Sequence, residues 1–224
     1  MFGGITNILE TDLSNFDMSQ VTSTNSMFSE CTNLKYINLA NINLSSVEDM
    51  GSLFYRCYNL KYINLTNINL SSVENMNGMF ASLSSLKSID LSNLDLSNVI
   101  DTQYMFAYCY NLEYINLTNT KLSSVKNKNG MFASLTSLKS IDLTNLDLSN
   151  VIDIQYMFGS CNNLEYINLI SINLSSVENM YGMFSWCHSL KSIDLTNLDL
   201  SNVIDTQYMF GSCNNLEYIN LDKY

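Results

Sequence analysis

The chain has 224 residues, 46% of them hydrophobic and 11% aromatic, which is enough apolar matter for a substantial core and excludes general disorder. A net charge of −11 leaves no basic stripe for phosphate binding and excludes nucleic acid as a partner. No run approaches the roughly 18 apolar residues of a membrane span, so this segment is not expected to insert in a membrane, and the absence of proline suits a chain of regular coils.

The first ten residues, MFGGITNILE, lack the charged start and apolar stretch of a signal peptide, so any export signal is expected outside this chain. From there three columns run through the sequence at intervals of 26 residues. Leu13 returns as Leu39, Leu65, Leu91, Leu117, Leu143, Leu169, Leu195 and Leu221. Phe2 returns as Phe28, Phe54, Phe80 and onward to Phe210, and Val21 as Val47, Val73 and onward to Val203. The unit is therefore 26 residues long and is repeated about eight and a half times.

Within a unit the apolar period changes. In LKYINL (Leu34 to Leu39), Ile37 and Leu39 alternate with Tyr36 and Asn38, the period of a strand with one buried face. The chain stays extended through Ile42 and Leu44, and then Val47, Met50, Phe54 and Cys57 fall three or four apart, which predicts one face of a short helix. One such unit cannot bury its apolar face alone, whereas stacked units bury a continuous core. The expected fold is an α/β repeat solenoid: a right-handed, leucine-rich-repeat-like stack of about eight to nine coils, with one parallel β-sheet face and short helical segments opposite. At the strand spacing of a sheet it makes a rod about 40 Å long. Residues 1–224 are expected to form a single solenoid domain belonging to a longer array.

A second period of 52 residues lies over the first. LKSIDLSNLDLSNVIDTQYMF (Leu86 to Phe106) returns at Leu138 with only Thr144 and Ile154 in place of Ser92 and Thr102, and at Leu190 with only Thr196 changed. Lys87, Glu113, Lys139, Glu165, Lys191 and Glu217 alternate in sign from rung to rung, so duplication of a two-rung block keeps opposite charges adjacent. Such exposed pairs are each worth roughly 0.2 to 1 kcal/mol. Recent tandem duplication would leave the same near-identity without selection for pairing.

The pattern L-K-x-I-D-L-S-N-x-D-x-S-x-V followed by M-F-x-x-C-x-x-L resembles the 26-residue leucine-rich repeat of BspA-like surface proteins over essentially the whole chain. It departs from the ordinary leucine-rich repeat in the position of the asparagine, since Asn41 follows Leu39 by two residues rather than three. The resemblance implies a location at the cell surface or in secreted material, and a role in adhesion or in binding host or matrix proteins.

Several columns have structural explanations. Cys31, Cys57, Cys109, Cys161, Cys187 and Cys213 share one column with Leu83 and Leu135, so they are expected to be free, buried, packing thiols. One cysteine per rung makes a line, not a tetrahedral metal set, and no cofactor is expected. Asn15, Asn41, Asn67, Asn93, Asn119, Asn145 and Asn197, with Ser171 as the exception, form a ladder expected to satisfy the turn after the strand. Serines from Ser19 to Ser201 serve the next corner. Asp90, Asp95 and Asp101 recur every 52 residues but form no D-x-D-x-D-G loop, so calcium has little support. His188 is the only histidine, has no placed nucleophile beside it, and with Trp186 is read as a local surface variation.

The outward strand face is the candidate binding surface. Its tentative ligand-binding residues are Tyr36, Tyr62, Asp90, Tyr114, Asn116, Asp142, Tyr166, Asn168, Asp194 and Tyr218. Tyrosine combines broad contact area with a polar tip, although plain β propensity also explains it. A periodic surface lacks the single asymmetric cluster an active site needs, so no enzyme is expected. The expected function is a non-enzymatic scaffold for a protein or glycan partner. The alternative is a self-associating spacer or stalk with no specific ligand. Neither Met1 and Phe2 nor LEYINL (Leu216 to Leu221) with Asp222, Lys223 and Tyr224 reads as a capping unit, so either a longer array or end-to-end self-association is expected.

Overall fold

A computed structural model describes residues 1–143, 146–170 and 172–221; Thr144, Asn145, Ser171 and the last three residues, Asp222, Lys223 and Tyr224, lie outside them. Nine three-residue strands recur once per unit: β1 (Glu10–Asp12), β2 (Tyr36–Asn38), β3 (Tyr62–Asn64), β4 (Ser88–Asp90), β5 (Tyr114–Asn116), β6 (Ser140–Asp142), β7 (Tyr166–Asn168), β8 (Ser192–Asp194) and β9 (Tyr218–Asn220). The strands are this short because the third residue turns the chain. Asn38 Oδ1 accepts the Ala40 amide at 3.1 Å, Asn64 Oδ1 the Thr66 amide at 3.1 Å, and Asp90 Oδ1 the Ser92 amide at 2.9 Å. A short polar side chain that satisfies the amide two residues on is the Asx-turn device.

The middle isoleucine of each interior strand points into one core that extends from Leu13 to Met209. Against it lies an unbroken stack of phenylalanines from Phe2 to Phe210, with ring centroids 5.2 to 6.0 Å apart at every step. The repeat solenoid predicted from the 26-residue columns is thus present, and its Leu, Val and Phe columns are buried through the interior coils except at the half-buried Leu65.

The predicted helices are absent: among the described residues there is no helix, and so none long and apolar enough to cross a membrane. The segment from Met50 to Cys57 is a chain of turns whose amides alternate between two kinds of acceptor. Ser52, Phe54 and Arg56 donate to Asn77, Met79 and Ala81 of the next coil, while Leu53, Tyr55 and Cys57 donate to carbonyls three residues back. An α-helix needs every amide to reach four residues back, so giving every second amide to the neighbouring coil rules it out. The geometry is completed by left-handed residues in each coil, such as Ser52 at φ 53° and Arg56 at φ 60°. Spacings of three and four in the sequence arise here from turns and not from helical periodicity.

Rung-to-rung bonds on this side run the full length of the stack. The amide of each phenylalanine from Phe2 to Phe184 donates to the carbonyl of the Met or Leu before the next phenylalanine, at 2.8 to 3.0 Å. A parallel line of single-residue bridges beside it links Ser23, Asp49, Asn75, Asp101, Asn127, Asp153, Asn179 and Asp205.

Candidate functional site

The strand face behaves differently. Instead of one sheet it forms four, β1-β2-β3, β4-β5, β6-β7 and β8-β9, so the ladder opens before β4, before β6 and before β8. Where strands are paired, the Leu39 amide donates to Asn64 O at 3.0 Å, and Leu91 and Leu195 donate to Asn116 O and Asn220 O at 2.9 Å. Among the described residues the equivalent amides of Leu65, Leu117 and Leu169 have no backbone partner in the next rung, and neither does that of Leu143 at the end of the paired β6-β7 step. Clefts of about 510, 210 and 530 Å³ lie at these three steps.

The openings follow the side chain at the end of each strand. Asparagine there donates its Nδ2 backward: Asn38 to Asp12 Oδ1 at 3.1 Å, Asn64 to Asn38 Oδ1 at 2.9 Å and Asn168 to Asp142 Oδ1 at 3.5 Å. An ionised aspartate accepts only. When Asp90, Asp142 or Asp194 follows an asparagine rung, it has no proton to give back to Asn64, Asn116 or Asn168. The ladder stays shut at β2-β3, where tyrosine follows tyrosine and asparagine follows asparagine, so the aspartate is the distinguishing feature. Asp and Asn also alternate in the bridge column opposite, yet that side stays closed because the phenylalanine ladder holds every rung. A three-residue strand has no such reserve. The 52-residue period is therefore visible in the structure as pairs of zipped rungs separated by wedges open on the strand face.

All ten candidate residues lie at outward positions of these strands. Tyr36 and Tyr62 stack with centroids 5.5 Å apart and planes 2° from parallel. Tyr62, Tyr114, Tyr166 and Tyr218 remain 56 to 61% exposed, so β propensity alone does not bury them. Tyr62 and Asp90 meet across the first cleft, Tyr114, Asn116 and Asp142 across the second, and Tyr166, Asn168 and Asp194 across the third, which Tyr218 also lines. The tyrosines of successive pairs, such as Tyr114 and Tyr166, are not brought together, because a serine rung stands between them.

Charges on this face are spent locally. Lys87 meets Glu113 at 3.6 Å, both exposed, and theirs is the one ion pair within the alternating column among the described residues. The hydroxyl of Thr196, then its amide, holds the Asp194 carboxyl below its usual range. Hydrogen bonds from Ser97 and then Lys121, whose Nζ lies 3.1 Å from Oδ2, bring Asp95 down to about 2. Among the described residues no group of three potential ligands could hold a metal ion.

The cysteines are free. Each thiol donates to the carbonyl of the phenylalanine in the preceding coil, as Cys109 Sγ does to Phe80 O at 3.0 Å. Burial pushes Cys57, Cys109 and Cys161 up to about 12, so these are unreactive packing groups. Part of the asparagine ladder forms as expected, with Asn67 donating to Asn41 and Asn119 to Asn93, both at 3.1 Å; Asn145 and Ser171 fall outside the described residues. His188 Nδ1 lies 2.9 Å from Ser212 O and its ring is edge-on to Trp186, a local surface arrangement.

Two features were not singled out from the sequence. Tyr104 and Tyr156 reach over Gly130 and Gly182, which sit at φ 57° and where any Cβ would overlap the ring; the Tyr-Gly alternation at 26-residue steps was the signal. The other is Lys128. It is fully buried, its Nζ has no hydrogen-bond partner, and burial lowers it from 10.5 to about 7, with the Asp147 charge opposing the shift. Its column otherwise holds Met50, Met76 and Met180 together with Thr and Ile.

Comparison with known proteins agrees with this architecture. The chain is similar in structure to a leucine-rich repeat protein from Bacteroides ovatus, with a TM-score of 0.57 and 23% identity over 97% of this chain and 62% of that one. It thus spans somewhat less than two thirds of that relative's length, and the likeness establishes the fold. A leucine-rich cell surface protein from Faecalibacterium prausnitzii also aligns, at 16% identity over 96% of this chain and 83% of that one, with a TM-score of 0.36. No curated protein matches. The leucine-rich repeat fold that the residues suggested is thus the one found in that Bacteroides protein. The family model described as "Mycoplasma protein of unknown function, DUF285" matches residues 1–114, 27–141 and 108–224, and the chain belongs to that family.

Proposed function

We propose that this protein is a non-enzymatic scaffold at the cell surface that binds a protein or glycan through its strand face. The observation that carries the reading is the exposure of Tyr62, Tyr114, Tyr166 and Tyr218 along one side of a rigid stack. A soluble repeat protein has no packing reason to hold four aromatic rings in solvent at regular steps, whereas amphipathic rings with few rotatable bonds suit a contact surface. The surface location is part of this reading and is supported by the resemblance of the repeat to BspA-like surface proteins.

The test is a glycan and matrix-protein array probed with labelled chain and with a variant carrying Tyr114→Ser, Tyr166→Ser and Tyr218→Ser. Serine already occupies this position in β4, β6 and β8, so the fold is expected to survive. The variant is expected to lose at least tenfold in binding while its melting temperature moves by only a few degrees. Undiminished binding by a folded variant would place the contact surface elsewhere. Binding to no array element would favour the spacer reading.

A further inference from the structure

The three wedges differ from the rest of the strand face in what they expose, and they recur at one position of the two-rung block. Each puts an exposed tyrosine ring on one wall (Tyr62, Tyr114 or Tyr166) and an aspartate on the other (Asp90, Asp142 or Asp194). Between them lie the amides of Leu65, Leu117 and Leu169, whose equivalents Leu13, Leu39, Leu91 and Leu195 are bonded across the rung. Open backbone amides beside a carboxylate and an aromatic face suit an occupant that can both donate and accept within a small footprint.

An inserted peptide strand does not fit. A strand between two others needs about 4.8 Å on each side, or roughly 9.6 Å between its flanking strands, whereas Cα atoms of β7 and β8 come within 8 Å of each other. An anionic occupant is disfavoured by the aspartates and by the net charge of −11; no lysine or arginine lines the three clefts, and Lys139, which lines a further cleft at the β5-β6 step, shares it with Glu113. A sugar hydroxyl meets the requirement, since it carries one donor and two acceptor sites. The edge of a sugar ring can enter a wedge, give a proton to the carboxylate, accept one from the open leucine amide, and lay its C–H face on the tyrosine.

Spacing narrows the choice further. Successive wedges are two rungs apart, one paired step of about 4.8 Å and one open step of less than about 8 Å, so roughly 10 to 13 Å along the strand face. In a β-1,4-linked glycan each sugar is turned over relative to the last, so equivalent edges recur every second residue, and one chain laid along the stack presents the same edge to each wedge. Building on the proposed strand-face reading, we propose that the wedges are three subsites for a single neutral β-1,4-linked oligosaccharide. Binding to three weak, evenly spaced subsites gives avidity beyond any one of them.

The experiment is isothermal titration of the full chain with cellohexaose and with chitohexaose, alongside an oligogalacturonate hexamer as the anionic comparison. At least one neutral hexamer is expected to bind ten times more tightly than its dimer, and the anionic hexamer not at all. A variant carrying Asp90→Asn, Asp142→Asn and Asp194→Asn keeps each turn acceptor but gives each rung a donor, so the wedges are expected to close and binding to fall at least tenfold. Retained circular dichroism and slowed amide exchange at Leu65 would show that this variant is folded and zipped. A second variant with Tyr62→Ser, Tyr114→Ser and Tyr166→Ser leaves the wedges open and is also expected to lose at least tenfold. The inference is overturned if neither neutral hexamer binds, if the anionic hexamer binds as well, or if the zipped variant binds like the parent. A protein partner found on the array and lost in the Tyr114, Tyr166 and Tyr218 variant would keep the strand-face reading and still overturn the saccharide one.

Discussion

Replacing Lys128 by methionine is expected to stabilise the fold at neutral pH by on the order of 4 kcal/mol, the value of moving an amine from its ordinary pKa to about 7 by burial. Methionine already fills this column at Met50, Met76 and Met180, all buried, so the replacement has a packed precedent in neighbouring coils. The sign follows from proton binding. Between about pH 7 and 10.5 the unfolded amine holds a proton that the folded one does not, so the stability of the parent protein rises with pH across that window and is flat below it. The gain from Lys128→Met is therefore largest at pH 7 and below, and shrinks towards pH 10.5. Denaturant melts of both proteins from pH 6 to 10 check this, and the difference between them removes the shared titration of tyrosines and other lysines. A gain under 1 kcal/mol that does not vary with pH would mean that the amine finds water or a partner in solution.

Truncating Phe106 to alanine is expected to cost about 3 to 5 kcal/mol. The ring is fully buried between Phe80 and Phe132, with centroids at 5.3 and 5.9 Å. Because each coil touches only its neighbours, stability is approximately a sum of coil and interface contributions, and a gap in the middle of the stack weakens the coupling of the two halves. The thermal transition is expected to broaden or split, seen as different midpoints for near- and far-ultraviolet circular dichroism. Phe2→Ala, at the margin of the core, provides the comparison and should leave a single transition. A loss for Phe106→Ala as small as that for Phe2→Ala would show that the phenylalanine stack is not what holds the coils.

The parts of this fold legible in the sequence were those governed by side-chain burial. Leu39, Val47 and Phe54 recur because each coil must present the same apolar residues to its neighbours, and all three are buried. The cysteine column was readable for the same reason, since Leu83 and Leu135 substitute in it. The helix prediction failed because apolar spacing reports which side chains face inward and not where amides donate. The alternation of Leu53 and Phe54 between a turn carbonyl and the next coil leaves the same three-and-four pattern in the letters. The wedges were invisible for a related reason. Asp90 and Asn116 were read as two polar choices on one face, but the ladder has a direction, with asparagine donating toward the preceding coil, and only that direction makes aspartate a break. Lys128 was different: its column was countable, and a single lysine among Met, Thr and Ile was a signal that could have been taken.

The strand ladder is zipped in some steps and open in others according to whether the later rung ends in asparagine or aspartate. Amide hydrogen exchange resolved by residue tests it most directly. Slow exchange is expected for Leu39, Leu91 and Leu195, whose amides donate across the rung at 2.9 to 3.0 Å, and exchange faster by about two orders of magnitude for Leu65, Leu117 and Leu169. Equal protection of the two sets would mean that the sheet is continuous in solution, and would contradict both the wedges and the explanation given for the 52-residue period.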